Sequence, residues 1–220
     1  MMQHPRIILL GLPGSGKGTQ GALIARAYGV PTFSSGEYFR NLRREGKLPA
    51  EISAKINAGG LVSDEDVNLI VVESFLSTQE AQAGFVLDGY PRTVAQAAFL
   101  DNYLTKQSLG LTAAVYVDLP MDTAFRRISG RRVCPNDGSV YNIYYQPPKR
   151  EGVCDLCGAT LIQREDDQDE SVRTRMATYE AITKALIGYY GDQGKLVTVD
   201  GTQTPDVVFA EMRRVLDDQA

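Results

Sequence analysis

The chain has 220 residues, a net charge of −4, 43% hydrophobic and 23% charged residues. That length supports one well-buried core with room for inserted subdomains. The acidic balance argues against bulk nucleic-acid binding, and no run of about 18 apolar residues is present to span a membrane, so neither a nucleic acid nor a membrane is expected as a partner.

Arg6-Ile-Ile-Leu-Leu10 is a short apolar run that ends in glycine and reads as a buried parallel strand. No long apolar leader precedes it, so a cytoplasmic location is expected. A helical pattern runs from Lys17 to Tyr28, with Leu23, Ile24 and Ala27 spaced for one face. Strand-like runs recur at Gly84–Asp88, Ala113–Asp118 and Lys195–Asp200, with amphipathic stretches between them. This alternation predicts an α/β fold with a parallel sheet covered on both faces. Helix starts are marked by Ser34-x-x-Glu37, by Ser63-x-x-Asp66 and by Thr204 before Pro205. Two stretches break the alternation. Residues 34–63 hold helical patterns without a strong buried strand. Residues 132–166 are rich in turn formers, with Val140–Tyr145 strand-like, and read as an inserted subdomain.

Gly11-Leu-Pro-Gly-Ser-Gly-Lys-Gly-Thr19 contains Gly-x-x-x-x-Gly-Lys between a strand and a helix. Glycines at these positions let backbone N–H groups converge on phosphate oxygens at a helix N-terminus, and Lys17 reaches the outer phosphates. Gly18 stands where Ser or Thr usually binds Mg²⁺ directly. A metal here would be held by phosphates and by water, with Asp88 at a strand end as the carboxylate that orders the water.

The form Gly-x-Pro-Gly-x-Gly-Lys-Gly-Thr resembles the adenylate kinase family rather than GTPases, and no Asn-Lys-x-Asp is present. Asp88-Gly-Tyr-Pro-Arg-Thr93, Gly130-Arg-Arg-Val133, Asp166-Asp-Gln168 and Val199-Asp-Gly-Thr202 also match, in family order over nearly the whole chain. The resemblance implies a P-loop core (residues 1–33, 64–130 and 168–220), a monophosphate-binding segment (34–63) and a lid (131–167). It implies Mg-dependent exchange of a phosphoryl group, ATP plus AMP giving two ADP, in a monomeric enzyme of nucleotide biosynthesis. By the same resemblance, Gly14, Ser15, Gly16, Lys17, Gly18 and Thr19 cradle ATP, with Arg127, Val140, Tyr141 and the backbone of Gln203. AMP falls to Ser35, Arg40, Gly60, Leu61, Val62, Gly89, Tyr90, Pro91, Arg92 and Gln96, the last reading the adenine edge. Arg164 and Arg175 clamp phosphates. Lys17, Asp88, Arg92, Arg127, Arg131, Arg164 and Arg175 form the catalytic set.

Arginine suits such a site because its fork binds phosphate bidentately and keeps its charge. Arg127 and Arg131 are four apart and would share a face if both lay on a helix. Ser35, Glu37, Gly60 and Gln203 stand where Thr, Asp, Lys and Lys are commoner in the family.

Cys134-x-x-Asp137 and Cys154-x-x-Cys157, sixteen residues apart, have the spacing of a structural zinc knuckle with one carboxylate among the ligands. In a small subdomain such a metal would supply folding energy. A relic site and a redox Cys-x-x-Cys pair are the alternatives. His4 reads as an exposed terminal residue, and Glu165–Glu170 as a solvated helix start, with Asp166 and Asp167 available to lid arginines. The rival functions are a same-fold kinase with UMP or CMP as acceptor, and a nucleotide-regulated zinc-ribbon binding protein. The second predicts a basic face on residues 131–165, whose charges are nearly balanced.

Overall fold

Aliphatic residues alternate between the two faces of each central strand, and this alternation builds two cores at once. The computed structural model describes residues 4–217. Among these residues the strands are β1 (Arg6–Leu10), β2 (Thr32–Ser34), β3 (Phe85–Asp88), β4 (Ala113–Asp118), β5 (Arg131–Val133), β6 (Val140–Asn142) and β7 (Leu196–Asp200). Five of them form a parallel sheet in the order β2-β3-β1-β4-β7. Ile8, Leu10, Leu87 and Ala114 face one core, and Ile7, Leu9, Val86 and Val115 the other.

Helices cover both faces. The first core is closed by α4 (Asp64–Val71), α6 (Val94–Lys106) and α9 (Ala185–Gly191), through Val67, Val71, Leu100, Leu104, Leu186 and Tyr190. The second is closed by α1 (Lys17–Tyr28) and α10 (Pro205–Asp217), through Ile24, Val208, Met212 and Leu216. Gly21 brings α1 close to the sheet: a Cβ there would lie 3.0 Å from Leu9 Cδ1. The buried stripe of α1 is therefore Gln20, Gly21 and Ile24, while Ala27, expected on that face, is exposed. Beyond the C-terminal ends of β1 and β4, α7 (Met121–Ser129) and α8 (Asp169–Thr178) form a third cluster with Leu12 and Leu119, through Ile128, Val172 and Met176.

The expected helix starts are real. Ser34 and Ser63 accept from the N–H groups of Glu37 and Asp66, and the last long helix begins at Pro205. The first expected insertion holds α2 (Ser35–Arg44) and α3 (Ala50–Asn57); α5 (Gln79–Ala83) precedes β3. The short β2 went unrecognised because its three residues, Thr32–Ser34, expose one side. No helix among the described residues is long and apolar enough to cross a membrane.

The second insertion is an antiparallel β5–β6 pair with further isolated bridges, over a small core of Cys134, Tyr141, Cys154 and Leu161. Arg131 opens β5 and does not continue α7, so the expected shared helical face with Arg127 is not what unites them. The insertion rejoins the core through a single turn at Glu165–Asp167. Within that turn Asp166 and Asp167 pair with arginines, as the sequence allows, while Glu165 stays largely exposed. Asp167 is fully buried and accepts from Arg131 Nε at 2.8 Å, with a second bond from Nη2 to its other oxygen. Arg131 thus pins the outgoing chain to the returning one.

Removing one member of a buried pair leaves the other charge uncompensated. Asp167→Asn should lower the unfolding free energy by about 3 kcal/mol in urea titrations. Glu165→Gln, at a side chain 68% exposed, should change it by less than about 0.5 kcal/mol.

Candidate active site

Parallel strands carry their loops to one edge, and here the C-terminal ends of β1, β2, β3 and β7 open onto a cleft of about 1540 Å³. The loop after β1 is shaped by glycine. Gly11 has φ 141°, and a Cβ on it would lie 2.6 Å from Val117 O; Gly14 has φ 84°, and its Cβ would lie 2.7 Å from Ala124 O. Neither position admits another residue without a backbone shift. Gly16, at φ 96°, starts α1, so free N–H groups and the positive end of the helix dipole point into the cleft. Lys17 Nζ donates to Gly11 O and Leu12 O, each at 2.8 Å. Burial lowers its pKa to about 8; Asp88 opposes the shift, and Arg92, Arg175 and Arg131 add to it.

Asp88 ends β3 facing this loop. Its Oδ2 lies 3.6 Å from where a Cβ on Gly18 would be, so the missing side chain leaves space beside the carboxylate. Across the cleft, Gly89 turns the chain at φ 75°, and its carbonyl accepts from Ser35 Oγ at 2.6 Å and Arg92 Nε at 2.9 Å. Burial, helped by Arg175 and opposed by Asp88, lowers the Arg92 pKa to about 10. Gly60, Leu61 and Val62 form the wall beside Arg40, whose pKa burial also depresses.

The remaining four expected arginines arrive from four other places in the chain. Arg127, on α7, donates to Gly201 O at 3.0 Å. Arg175, on α8, donates to Asp166 Oδ2 at 3.0 Å. Arg164 precedes the Glu165–Asp167 turn, and burial lowers its pKa to about 10, with Arg131 and Arg40 adding to the shift. Burial works against the Arg131 charge, yet its bonds to Asp167 outweigh it and the pKa is raised.

Most of the expected residues share the cleft; two do not reach it with their side chains. Tyr90 has no exposed surface and lies in the core, its hydroxyl donating to Asn68 Oδ1 at 2.7 Å. Tyr141 packs inside the second insertion, where its hydroxyl accepts from Asp155 N at 2.8 Å. Val140 does line the cleft; Gln203 does too, with its side-chain amide donating to Asp200 at 2.8 Å. Gln96 lines the cleft with its carboxamide already bonded to protein groups. Tyr145 was missed: it lies in the cleft wall with the Arg127 guanidinium 5.9 Å from its ring centre, and the strand-like run around it concealed an arginine–aromatic pair.

In the second insertion, Cys134, Asp137, Cys154 and Cys157 bring one ligand atom each to within 4.8 Å of one another. His4, as expected, is exposed.

A family model described as adenylate kinase matches residues 9–195. An adenylate kinase of Thermoanaerobacter sp. is 45% identical over 215 residues, covering 97% of this chain and 99% of the relative. Those of Clostridium acetobutylicum and Thermotoga neapolitana are 42% and 44% identical over 212 residues, with 96% of this chain covered and 98% and 96% of the relatives. With this similarity running through the phosphate loop and the arginine-lined cleft alike, the chain belongs to the adenylate kinase family, a family of nucleoside monophosphate kinases.

Proposed function

We propose that ATP binds on the loop side of the cleft, AMP binds on the side of α2 and α6, and the γ-phosphoryl group passes between them to give two ADP. The observation that carries this reading is convergence: a phosphate loop, Asp88 and eight arginines face one cleft. Phosphoryl transfer needs little covalent help. It needs donor and acceptor in line and the charge on the moving group neutralised.

In this reading the backbone of Gly14–Thr19 and Lys17 hold the β- and γ-phosphates, with Arg127 and Arg131 alongside. Ser35 fixes the Gly89 turn, and Arg40 and Arg92 take the AMP phosphate. Gly60, Leu61, Val62, Pro91 and Gln96 enclose its nucleoside. Tyr90 contributes through its backbone and by supporting the wall from the core. Arg164 and Arg175 close on the transferring group. Residues 34–63 and 131–167 act as the two mobile pieces over the P-loop core, whose closure excludes water that would otherwise hydrolyse the triphosphate. Mg²⁺ accompanying ATP would neutralise phosphate charge, and the space beside Gly18 lets Asp88 order its waters.

The four-residue cluster fits a structural Zn²⁺. Tetrahedral coordination by thiolate and carboxylate sets donor atoms about 3.5 Å apart. Cys134 Sγ and Cys157 Sγ are 3.4 Å apart, and Cys154 Sγ is 3.2 Å from Asp137 Oδ2. Four protein ligands leave no open position, so the metal supplies lid stability and no chemistry. The reading is completed by a monomer in a reducing cytosol, where the thiols stay available to metal.

Mixed with ATP and a panel of monophosphates in a coupled assay, the protein should convert AMP efficiently and UMP and GMP poorly. Equal rates with UMP would remove the adenine assignment. Lys17→Met or Arg92→Ala should lower kcat/KM on the order of a thousandfold while circular dichroism stays native; near-normal turnover would disprove the assigned role. Elemental analysis should find one Zn²⁺ per chain. Chelation should lower Tm while leaving part of the low-temperature activity, and Asp137→Cys should hold zinc at least as well. Protein free of zinc and indifferent to chelators would mark the cluster as a relic.

A further inference from the structure

Gln96 is 2% exposed, and both ends of its carboxamide are engaged. Oε1 accepts from the Arg92 backbone N–H at 2.7 Å, and Nε2 donates to Asp64 Oδ1 at 2.8 Å. Asp64 is itself held: Thr93 Oγ1 donates to its Oδ2 at 2.9 Å, while the same hydroxyl caps α6 by accepting from Gln96 N at 3.1 Å. Asp64 is the first residue of α4, after the Ser63 cap, so its position is set by a helix end rather than by a loose loop.

These partners decide which way the amide points. A backbone N–H only donates and a carboxylate only accepts. Turning the Gln96 amide over would set Nε2 against the Arg92 N–H and Oε1 against the Asp64 carboxylate. Neither arrangement makes a bond, and the second places two acceptors in contact. A glutamine without such partners takes either orientation at little difference in energy.

Each end of the amide keeps one further capacity: a second lone pair on Oε1 and a second hydrogen on Nε2. In the clamped state the free acceptor lies on the Arg92 side and the free donor on the Asp64 side. Adenine offers a donor, the N6 amine, beside the N1 acceptor. Guanine offers the O6 acceptor beside the N1–H donor, the reverse order. A glutamine free to turn over serves both bases in one pose; a clamped one serves a single order. We propose that Asp64 is a positioning residue for base selection, holding the Gln96 amide in the orientation that pairs with adenine and rejects guanine. This rests on the reading of Gln96 as the contact to the base of the monophosphate. Asp64 reaches the base only through Gln96.

The test compares kcat/KM for AMP and GMP, together with the KM for ATP, in the unsubstituted enzyme and in Gln96→Ala, Asp64→Asn and Asp64→Ser. Asn and Ser each donate as well as accept, so neither opposes a turned-over amide as the carboxylate does, and only the Arg92 N–H still favours the original orientation. Both variants should lower the AMP-to-GMP ratio of kcat/KM about tenfold, as expected for one net hydrogen bond. The change should come through opposite shifts in the two KM values, with the KM for ATP unmoved. A purely structural role for Asp64 would weaken both acceptors alike, and that result would overturn the proposal. If Gln96→Ala collapses the ratio while both Asp64 variants preserve it, Asp64 does not position the amide, and the reading of Gln96 stands. If Gln96→Ala also preserves the ratio, the base is read elsewhere, and the proposal falls with that reading. Two chemically different Asp64 variants keep the result independent of how well either one folds.

Discussion

Like charges crowded into one cleft are the constraint on which this structure depends. Among the described residues lining it, nine are basic (Lys17, Arg40, Arg43, Arg44, Arg92, Arg127, Arg131, Arg164 and Arg175) and four acidic (Glu37, Asp88, Asp137 and Asp166). The lowered pKa values of Lys17, Arg92 and Arg164 express the strain of holding such groups out of water and near one another. Asp166 and Asp167 offset it from behind: the first meets Arg175, the second Arg131. Burial opposes ionisation of Asp166, but Arg175, Arg131 and Arg40 more than compensate, and its pKa is lowered. The acids thus keep the arginines assembled while leaving a surplus of positive charge for phosphate.

The sheet makes this crowding geometrically possible. A parallel sheet gathers its strand ends on one side, so residues far apart in sequence meet without long loops. Gly11–Thr19 follows β1, Ser35 follows β2, Gly89 follows β3 and Gly201 follows β7. Arg40, Arg43 and Arg44 on α2, with Arg131 and Arg164 from residues 131–167, add further positive charge to the same cleft. Arg43, Asn57 and Glu165 tie the two insertions together: Arg43 Nη1 and Asn57 Nδ2 both donate to Glu165 Oε2, at 3.2 and 2.8 Å.

What could be read from the sequence was what depends on local chemistry. The phosphate loop needs glycines at fixed offsets between a strand and a helix, and that spacing is visible in the chain. Ser34 and Ser63 announce helix starts because their hydroxyls serve N–H groups three residues away. Less was legible where tertiary context decides. Tyr90 and Tyr141 sit within family motifs, yet packing turns their rings into cores. In the acidic run at 165–170, pairing of Asp166 and Asp167 with arginines was legible, but the full burial of Asp167 was not, because its partner Arg131 lies 36 residues away. Arg131 itself seemed to belong with Arg127 on a helix; α7 ends at Ser129, and a strand begins two residues later. The clamp on Gln96 joins two helix starts 32 residues apart, a relation no local pattern carries.

The surplus of cations in the cleft has a kinetic side. The chain as a whole bears a net charge of −4, whereas the cleft lining carries an excess of cations. Field lines from a charged recess between low-dielectric walls are focused outward, which raises the frequency of productive encounters for a small anion such as a nucleotide. Capture is therefore guided diffusion. Its rate falls with ionic strength, because a Debye length of roughly 8 Å at physiological salt hides the recess from distant ligands.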